Sequence, residues 1–213
     1  MGRVSLDNGS MINYDRLLVA TGATAAFPPV PGIQLQGVVK MDTLEDVRGI
    51  FELGRTARTA VIVGGGITAL ELVEGLLAKG VRVHYFLRGE RYWSSVLTAA
   101  ESGIVETRLK HEGAHLYYKT ELAEIVGNKG RVSAVKTRDN RLIRCEMVGI
   151  AIGVRPRKEM AEASGLKADR GIIVNETLQT NYLDIFAAGD VAQIFNPLTG
   201  QSSLDSLWFP ARD

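Results

Sequence analysis

Gly64, Gly65 and Gly66 open the spacing Gly64-x-Gly66-x-x-Ala69, which can hold the diphosphate of a dinucleotide. The first glycine permits a tight turn, the second lets main chain approach a pyrophosphate, and a small third residue lets a helix pack close to the preceding strand. The amides of Gly65, Gly66, Ile67 and Thr68 would then face an anion at the positive end of that helix. A glycine triplet also serves as a plain turn, so its flanks decide. Two further groups could contact a ligand. Arg88 and Arg91 stand where a dinucleotide site with a free ribose 2′-OH usually has Asp or Glu, roughly 20 residues past the turn. Guanidinium groups there suit a 2′-phosphate, so NADPH is expected and NADH is the alternative; the plain reading of both arginines is solvated turn residues. Asp190 follows the apolar run Ile185-Phe186-Ala187-Ala188-Gly189 and could accept hydrogen bonds from ligand hydroxyls, or simply cap a helix.

These residues need a scaffold, and the flanks supply one. Residues 60–63 form a short apolar run of buried-strand length. Ile67, Leu70, Val73, Leu76 and Leu77 then recur at helical spacing, and Gly80 supplies a stop. Residues 81–87 alternate as a second strand, completing a βαβ unit. Before it lie a hairpin of residues 3–6 and 11–14 around Asp7-Asn8-Gly9, a buried strand at 17–20 ending in Thr21-Gly22, a proline-rich linker, and a helix at 41–53 opened by Asp42 or Thr43. After it a helix is expected from a Ser94 or Ser95 cap through His111, then a strand at 116–118. The period changes to two in residues 121–126, 131–137 and 141–152, which reads as a three-stranded antiparallel meander. The last of these runs into Gly153-Val154-Arg155-Pro156, repeating the outline of Val19-Ala20-Thr21-Gly22 and suggesting two similar nucleotide domains. A short helix at 158–163 and a strand at 171–174 precede the Asp190 segment. The fold class is therefore α/β, with a Rossmann-like parallel sheet and an antiparallel meander.

Composition removes several classes of function. Formal net charge is +1, from 25 basic and 24 acidic residues, so no global field recruits nucleic acid or an acidic membrane. Cys145 is the single cysteine, which precludes an internal disulfide or a redox pair and fits a reducing, cytoplasmic setting; in its apolar strand it reads as a small core residue. His84, His111 and His115 lack ligand spacing, so no metal site is expected. No run of about 20 apolar residues marks a membrane span.

Four stretches together resemble the pyridine nucleotide-disulfide oxidoreductase family of flavoproteins: residues 14–23, the loop from Gly64 to Glu71, Ile150-Ala151-Ile152-Gly153-Val154-Arg155-Pro156, and Ile185-Phe186-Ala187-Ala188-Gly189-Asp190. The ending from Leu204 to Arg212, with Trp208 and Pro210, is similar to the branch of nitrite reductase large subunits, rubredoxin reductases and NADH oxidases. The resemblance implies an NAD(P)H-binding domain at 39–160, inserted in part of a second, FAD-type nucleotide-binding domain made of 1–38 and 161–213. It implies that Asp190, with Gly189, meets the ribityl chain of the flavin, that Thr21 and Gly22 lie against FAD, that Gly153 ends a coenzyme-site strand, and that Glu71 stands beside the nicotinamide. Glu71 otherwise reads as an ordinary acid in the first turn of a helix.

Family members carry a separate glycine loop for the ADP half of FAD, and disulfide-reducing branches carry a cysteine pair; neither precedes Tyr14, and no interface domain follows Asp213. The expectation is a fragment or truncated gene product: the NAD(P)H-binding portion of an FAD-dependent oxidoreductase that passes hydride from NAD(P)H to flavin. The alternative is a non-catalytic NAD(P)H-binding module unable to hold FAD. No residue is assigned as a catalytic acid, base or nucleophile. The electron acceptor, protein or small molecule, is open, and a homodimer is possible.

Overall fold

The computed structural model describes residues 2–204, so Trp208 and Pro210 of the expected branch signature lie outside the described residues. The chain divides into two compact units: one is Ala25–Gly153, the other combines the residues up to Thr24 with those from Val154 onward.

The Ala25–Gly153 unit is built on a five-stranded parallel sheet in the order Val38–Val39, Met147–Ile150, Thr59–Val63, Arg82–Phe86, His115–Tyr117. Alternate residues of its strands feed two cores, as the pleat demands. Ala60, Ile62, Val83, Tyr85 and Met147 pack with Leu72, Val73, Leu76 and Leu109 from the helices Ile67–Ala78 and Ala99–His111. Val61, Phe86, Val148 and Ile150 pack on the other face with Leu122, Ile125, Val132 and Val135 of the meander. The meander itself pairs Leu122–Asn128, Arg131–Thr137 and Leu142–Arg144 antiparallel.

Two elements depart from the sequence reading. The strand expected at 141–152 is two strands serving different sheets. Leu142–Arg144 closes the meander, and Met147–Ile150 inserts between Val38–Val39 and Thr59–Val63. The junction is pinned by Glu146, whose Oε2 accepts the N–H groups of Arg58 and Thr59 at 3.1 and 2.9 Å, while its own N–H donates to the Thr59 carbonyl at 3.0 Å. All four residues of Met147–Ile150 are buried, as a strand covered on both faces requires. The helix expected from Ser94 or Ser95 begins instead at Ala99. Thr98 and Glu101 form a reciprocal capping box there, with N–H to side-chain oxygen distances of 2.8 and 3.3 Å, and this sets the start. The first helix, Leu44–Gly54, takes Thr43 as its cap by the same device with Asp46.

In the other unit, Gly2–Ser5 and Met11–Tyr14 form the expected hairpin around Gly9, which has φ +80°. Leu17–Val19 runs parallel to Ile185–Ala187, and Ile172–Val174, Ala192–Asn196 and Gln201–Ser203 form a three-stranded sheet. Val19, Ala161, Leu166, Ile172, Val174, Ala187 and Val191 make its core.

Candidate functional site

The glycine loop sits at the carboxyl edge of the parallel sheet, directly after Thr59–Val63. On one side of that strand lies Arg82–Phe86, reached through the helix Ile67–Ala78; on the other lies Met147–Ile150, which comes last in the unit. Connections leave in opposite directions there, which opens the crevice where such sheets bind ligands. Gly64 closes the floor of this crevice. A Cβ on Gly64 would lie 2.1 Å from the Ala151 carbonyl oxygen and 3.2 Å from Ala69 Cβ, and its φ is +151°. Its N–H donates to the Phe86 carbonyl at 3.3 Å, and the Ala151 N–H donates to Val63 at 2.8 Å, so three strand ends are tied around the turn. Ala69 is fully buried beneath it.

Gly65 and Gly66 contrast with Gly64, because a Cβ on either would meet nothing within 4 Å. Gly66 is the N-cap of Ile67–Ala78, extended at φ −108° and ψ −172°, and no side chain caps that helix. Its first turn holds no acidic residue, Ile67 is exposed and Thr68 half-buried. Main-chain donors and a positive dipole end therefore lie beside open space, an arrangement fit for a phosphate group. Glu71 lies one turn further along the helix, exposed to solvent. Gly153, exposed at φ +114°, follows Ala151 at the same edge.

The two arginines part company. Arg88 is exposed and, among the described residues, makes no ion pair or hydrogen bond through its side chain. Arg91 donates from Nη2 to the carbonyls of Ser94 and Leu97 at 3.1 and 3.2 Å, and its Nε is buried with no protein acceptor. Arg91 is thus a brace for the turn leading to the helix Ala99–His111. The same turn is clamped at Tyr92, whose N–H donates to Glu106 Oε1 at 2.7 Å and whose carbonyl accepts from Ser102 Oγ at 2.7 Å. Glu106 Oε2 accepts from the Tyr118 hydroxyl at 2.7 Å; burial, then this carboxylate, push the Tyr118 phenol well above its ordinary range. Sequence reasoning missed Glu106, Ser102 and the Ala151 carbonyl, because they act through positions set only by tertiary packing.

In the second unit the parallel pair Leu17–Val19 and Ile185–Ala187 delivers Thr21, Gly22, Gly189 and Asp190 to one edge. Thr21 Oγ1 donates to the Arg157 carbonyl at 2.8 Å, so that hydroxyl holds the turn. Gly22 and Gly189 have φ of +66° and +73°. Asp190 lies in a three-residue 3-10 turn that passes straight into a strand, so it caps no α-helix. Among the described residues its half-buried carboxylate has no partner, leaving it able to accept hydrogen bonds from a ligand polyol.

Elsewhere, burial pushes the Cys145 thiol up to about 12, with Glu146 adding to the shift, so the thiolate is unavailable at neutral pH. His84 and His115 stack at 5.2 Å across paired strands. Among the described residues, no cluster of three or more His, Cys, Asp or Glu side chains is gathered for a metal ion, and no helix is long and apolar enough to cross a membrane.

Residues 2–206 match the family model described as Pyridine nucleotide-disulphide oxidoreductase. The NADH oxidase of Methanocaldococcus jannaschii is 35% identical over 196 residues, covering 91% of this chain and 43% of that protein. Rhodocoxin reductase of Rhodococcus erythropolis is 32% identical, covering 95% of this chain and 47% of its own length. The crystal structure of a ferredoxin reductase from Rhodopseudomonas palustris superposes with a TM-score of 0.95 at 29% identity, over 99% of this chain and 52% of that one. The chain thus spans about half the length of the relatives it matches.

Proposed function

The chain belongs to the pyridine nucleotide-disulphide oxidoreductase family, and we propose that its Ala25–Gly153 unit binds NAD(P)H, preferring NADPH, within an FAD-dependent oxidoreductase. One observation carries this reading: Gly64 is locked against the Ala151 carbonyl while Gly65 and Gly66 stand open at an uncapped helix start. Gly65, Gly66, Ile67 and Thr68 would present amides to the diphosphate, with Ala69 keeping the helix close. Arg88 would receive the ribose 2′-phosphate, Gly153 would border the crevice, and Glu71 would stand toward the nicotinamide end. Arg91 supports the turn that carries Arg88 more than it supports the ligand, given its carbonyl partners.

The flanking segments, expected at 1–38 and 161–213 and gathered into one compact unit as the residues up to Thr24 with those from Val154 onward, would be the FAD-type part of the same proposal. Asp190 would hold flavin hydroxyls by accepting their hydrogen bonds, and Gly22 and Gly189 would keep the edge clear of side chains. With both groups bound, the nicotinamide would supply a hydride and the flavin would accept it, and the residues named here would supply placement and electrostatics. The names of two relatives, a rhodocoxin reductase and a ferredoxin reductase, favour a protein electron carrier as the final acceptor.

Calorimetric titration of the chain with NADPH and NADH tests the coenzyme assignment. NADPH should bind more tightly, and Arg88→Glu should weaken it selectively by about 1.5 to 3 kcal/mol through loss of a charge-assisted contact. Equal affinities in the parent chain, or tighter NADH, would remove the role given to Arg88. A yellow preparation that bleaches on adding NADPH supports the flavin part; a colourless protein that still binds NADPH would identify a coenzyme-binding module instead.

A further inference from the structure

Arg88 is bracketed by two main-chain hydrogen bonds from a segment 30 residues further along. The Thr120 N–H donates to the Leu87 carbonyl at 3.1 Å, and the Lys119 N–H donates to the Gly89 carbonyl at 3.0 Å. These bonds bring Lys119 beside the arginine at the sheet's carboxyl edge. Lys119 has a φ of +48°, in the left-handed region that a residue with a Cβ rarely occupies. Its conformation is held from below. Thr120 is buried, donates from Oγ1 to the Tyr118 carbonyl at 2.8 Å and accepts from Arg141 Nη2 at 3.0 Å, while the Tyr118 hydroxyl is bound by Glu106. Such a strained, braced conformation sets the direction in which the lysine leaves the main chain.

The Lys119 ammonium pairs with Glu90 Oε1 at 2.5 Å, with both side chains mostly exposed. An exposed lysine–carboxylate pair contributes little and is readily exchanged. Glu90 would otherwise repel a dianion placed at Arg88, so the lysine that pairs with Glu90 has two uses. Resting on the reading that a 2′-phosphate lies at Arg88, we propose that Lys119 is the second cation of that phosphate subsite, held in place by Glu90 until NADPH binds. Arg88 supplies the planar fork, and Lys119 supplies a flexible ammonium with three donors that swings from the carboxylate to the phosphate. The coenzyme selectivity of the site would thus be set jointly by the exits of the second and third strands of the βαβαβ run.

Titration of the full chain and its variants with NADPH and NADH tests this. Lys119→Ala should raise the NADPH dissociation constant about 5- to 10-fold, the scale of one charge-assisted contact near a surface, and leave NADH unchanged. Lys119→Arg should recover most of the loss. Glu90→Gln should tighten NADPH about 2- to 5-fold by releasing the lysine and removing a like charge, a gain that fold damage does not produce, and the gain should shrink in a Lys119→Ala background. Equal weakening of both coenzymes by Lys119→Ala would show a disturbed turn and overturn the inference. So would unchanged NADPH binding in Lys119→Ala while Arg88→Glu weakens it, a result that leaves the Arg88 assignment standing. If Arg88→Glu itself spares NADPH, the assignment and the inference fall together.

Discussion

Tyr118 and Tyr85 show how little residue type alone decides. Both are phenols raised above their ordinary range mainly by burial, yet the Tyr118 hydroxyl donates to Glu106 while the Tyr85 hydroxyl is buried with no protein partner. Tyr118→Phe should therefore cost about 1 to 3 kcal/mol, the value of a hydrogen bond to a charged group, and Tyr85→Phe should leave stability unchanged or raise it; urea unfolding measures both. His84 offers a pH test. Burial first, then His115 and Arg82, lower its pKa, and its Nδ1 lies 2.9 Å from the Tyr117 hydroxyl. The unfolded chain then binds a proton more readily than the folded one, so this contribution is present above the ordinary histidine pKa of about 6.5 and is lost as pH falls below it. His84→Gln should flatten the fall of the urea midpoint between about pH 7 and pH 5. At this scale the strand-end positions of the glycine loop, Arg88 and Asp190 were legible in the sequence, because an apolar run precedes each of them. Arg91 was half legible: its charge was visible, but the Ser94 and Leu97 carbonyls that occupy it are neighbours created by a turn.

The glycine loop and its helix form an element whose two uses can be separated. At Gly64 a methyl group would collide with the Ala151 carbonyl and φ is +151°, so Gly64→Ala should destabilise by about 2 to 4 kcal/mol or prevent folding. At Gly66 a methyl group meets nothing and φ is −108°, so Gly66→Ala should change stability by no more than about 1 kcal/mol, the cost of a poorer N-cap. On the proposed assignment the same substitution should weaken coenzyme binding about tenfold or more, because the methyl would stand where the diphosphate approaches the main chain. Thermal melts and calorimetry on the two variants check the contrast. The βαβ unit was legible because strand, turn and helix are contiguous and each has its own period. The strand at 147–150 was not separable from the meander, since the alternation Ile143-Arg144-Cys145-Glu146-Met147 runs on unbroken and only the long-range Glu146 contact with Arg58 and Thr59 marks the break. The helix start at Ala99 was written in Thr98 and Glu101, but Ser94 and Ser95 just ahead of them offered a competing cap.

Across the whole chain, the Ala25–Gly153 unit presents its glycine loop, Arg88, Lys119 and Gly153 from strand exits on one sheet edge, whereas the other unit presents Thr21, Gly22, Gly189 and Asp190 from its own parallel pair. The α/β class and the presence of a meander followed from hydrophobic period. The joins at Thr24 and Gly153 did not, because Pro28, Pro29, Pro31 and Gly32 read as a linker, whereas the Pro31 carbonyl and Gly32 pack on Ile125 of the meander. A ligand held by the folded unit alone should stabilise it by about 2.7 kcal/mol at a hundredfold excess over its dissociation constant, and NADPH should do so more than NADH at equal concentration in thermal melts. The most direct test is amide NMR of the isotopically labelled chain during NADPH titration. The N–H signals of Gly65, Gly66, Ile67 and Thr68 should shift together along one saturating curve. Saturation by NADPH with those four signals unmoved, or no saturable shift at all, would contradict the assignment of the glycine loop as the coenzyme's diphosphate site.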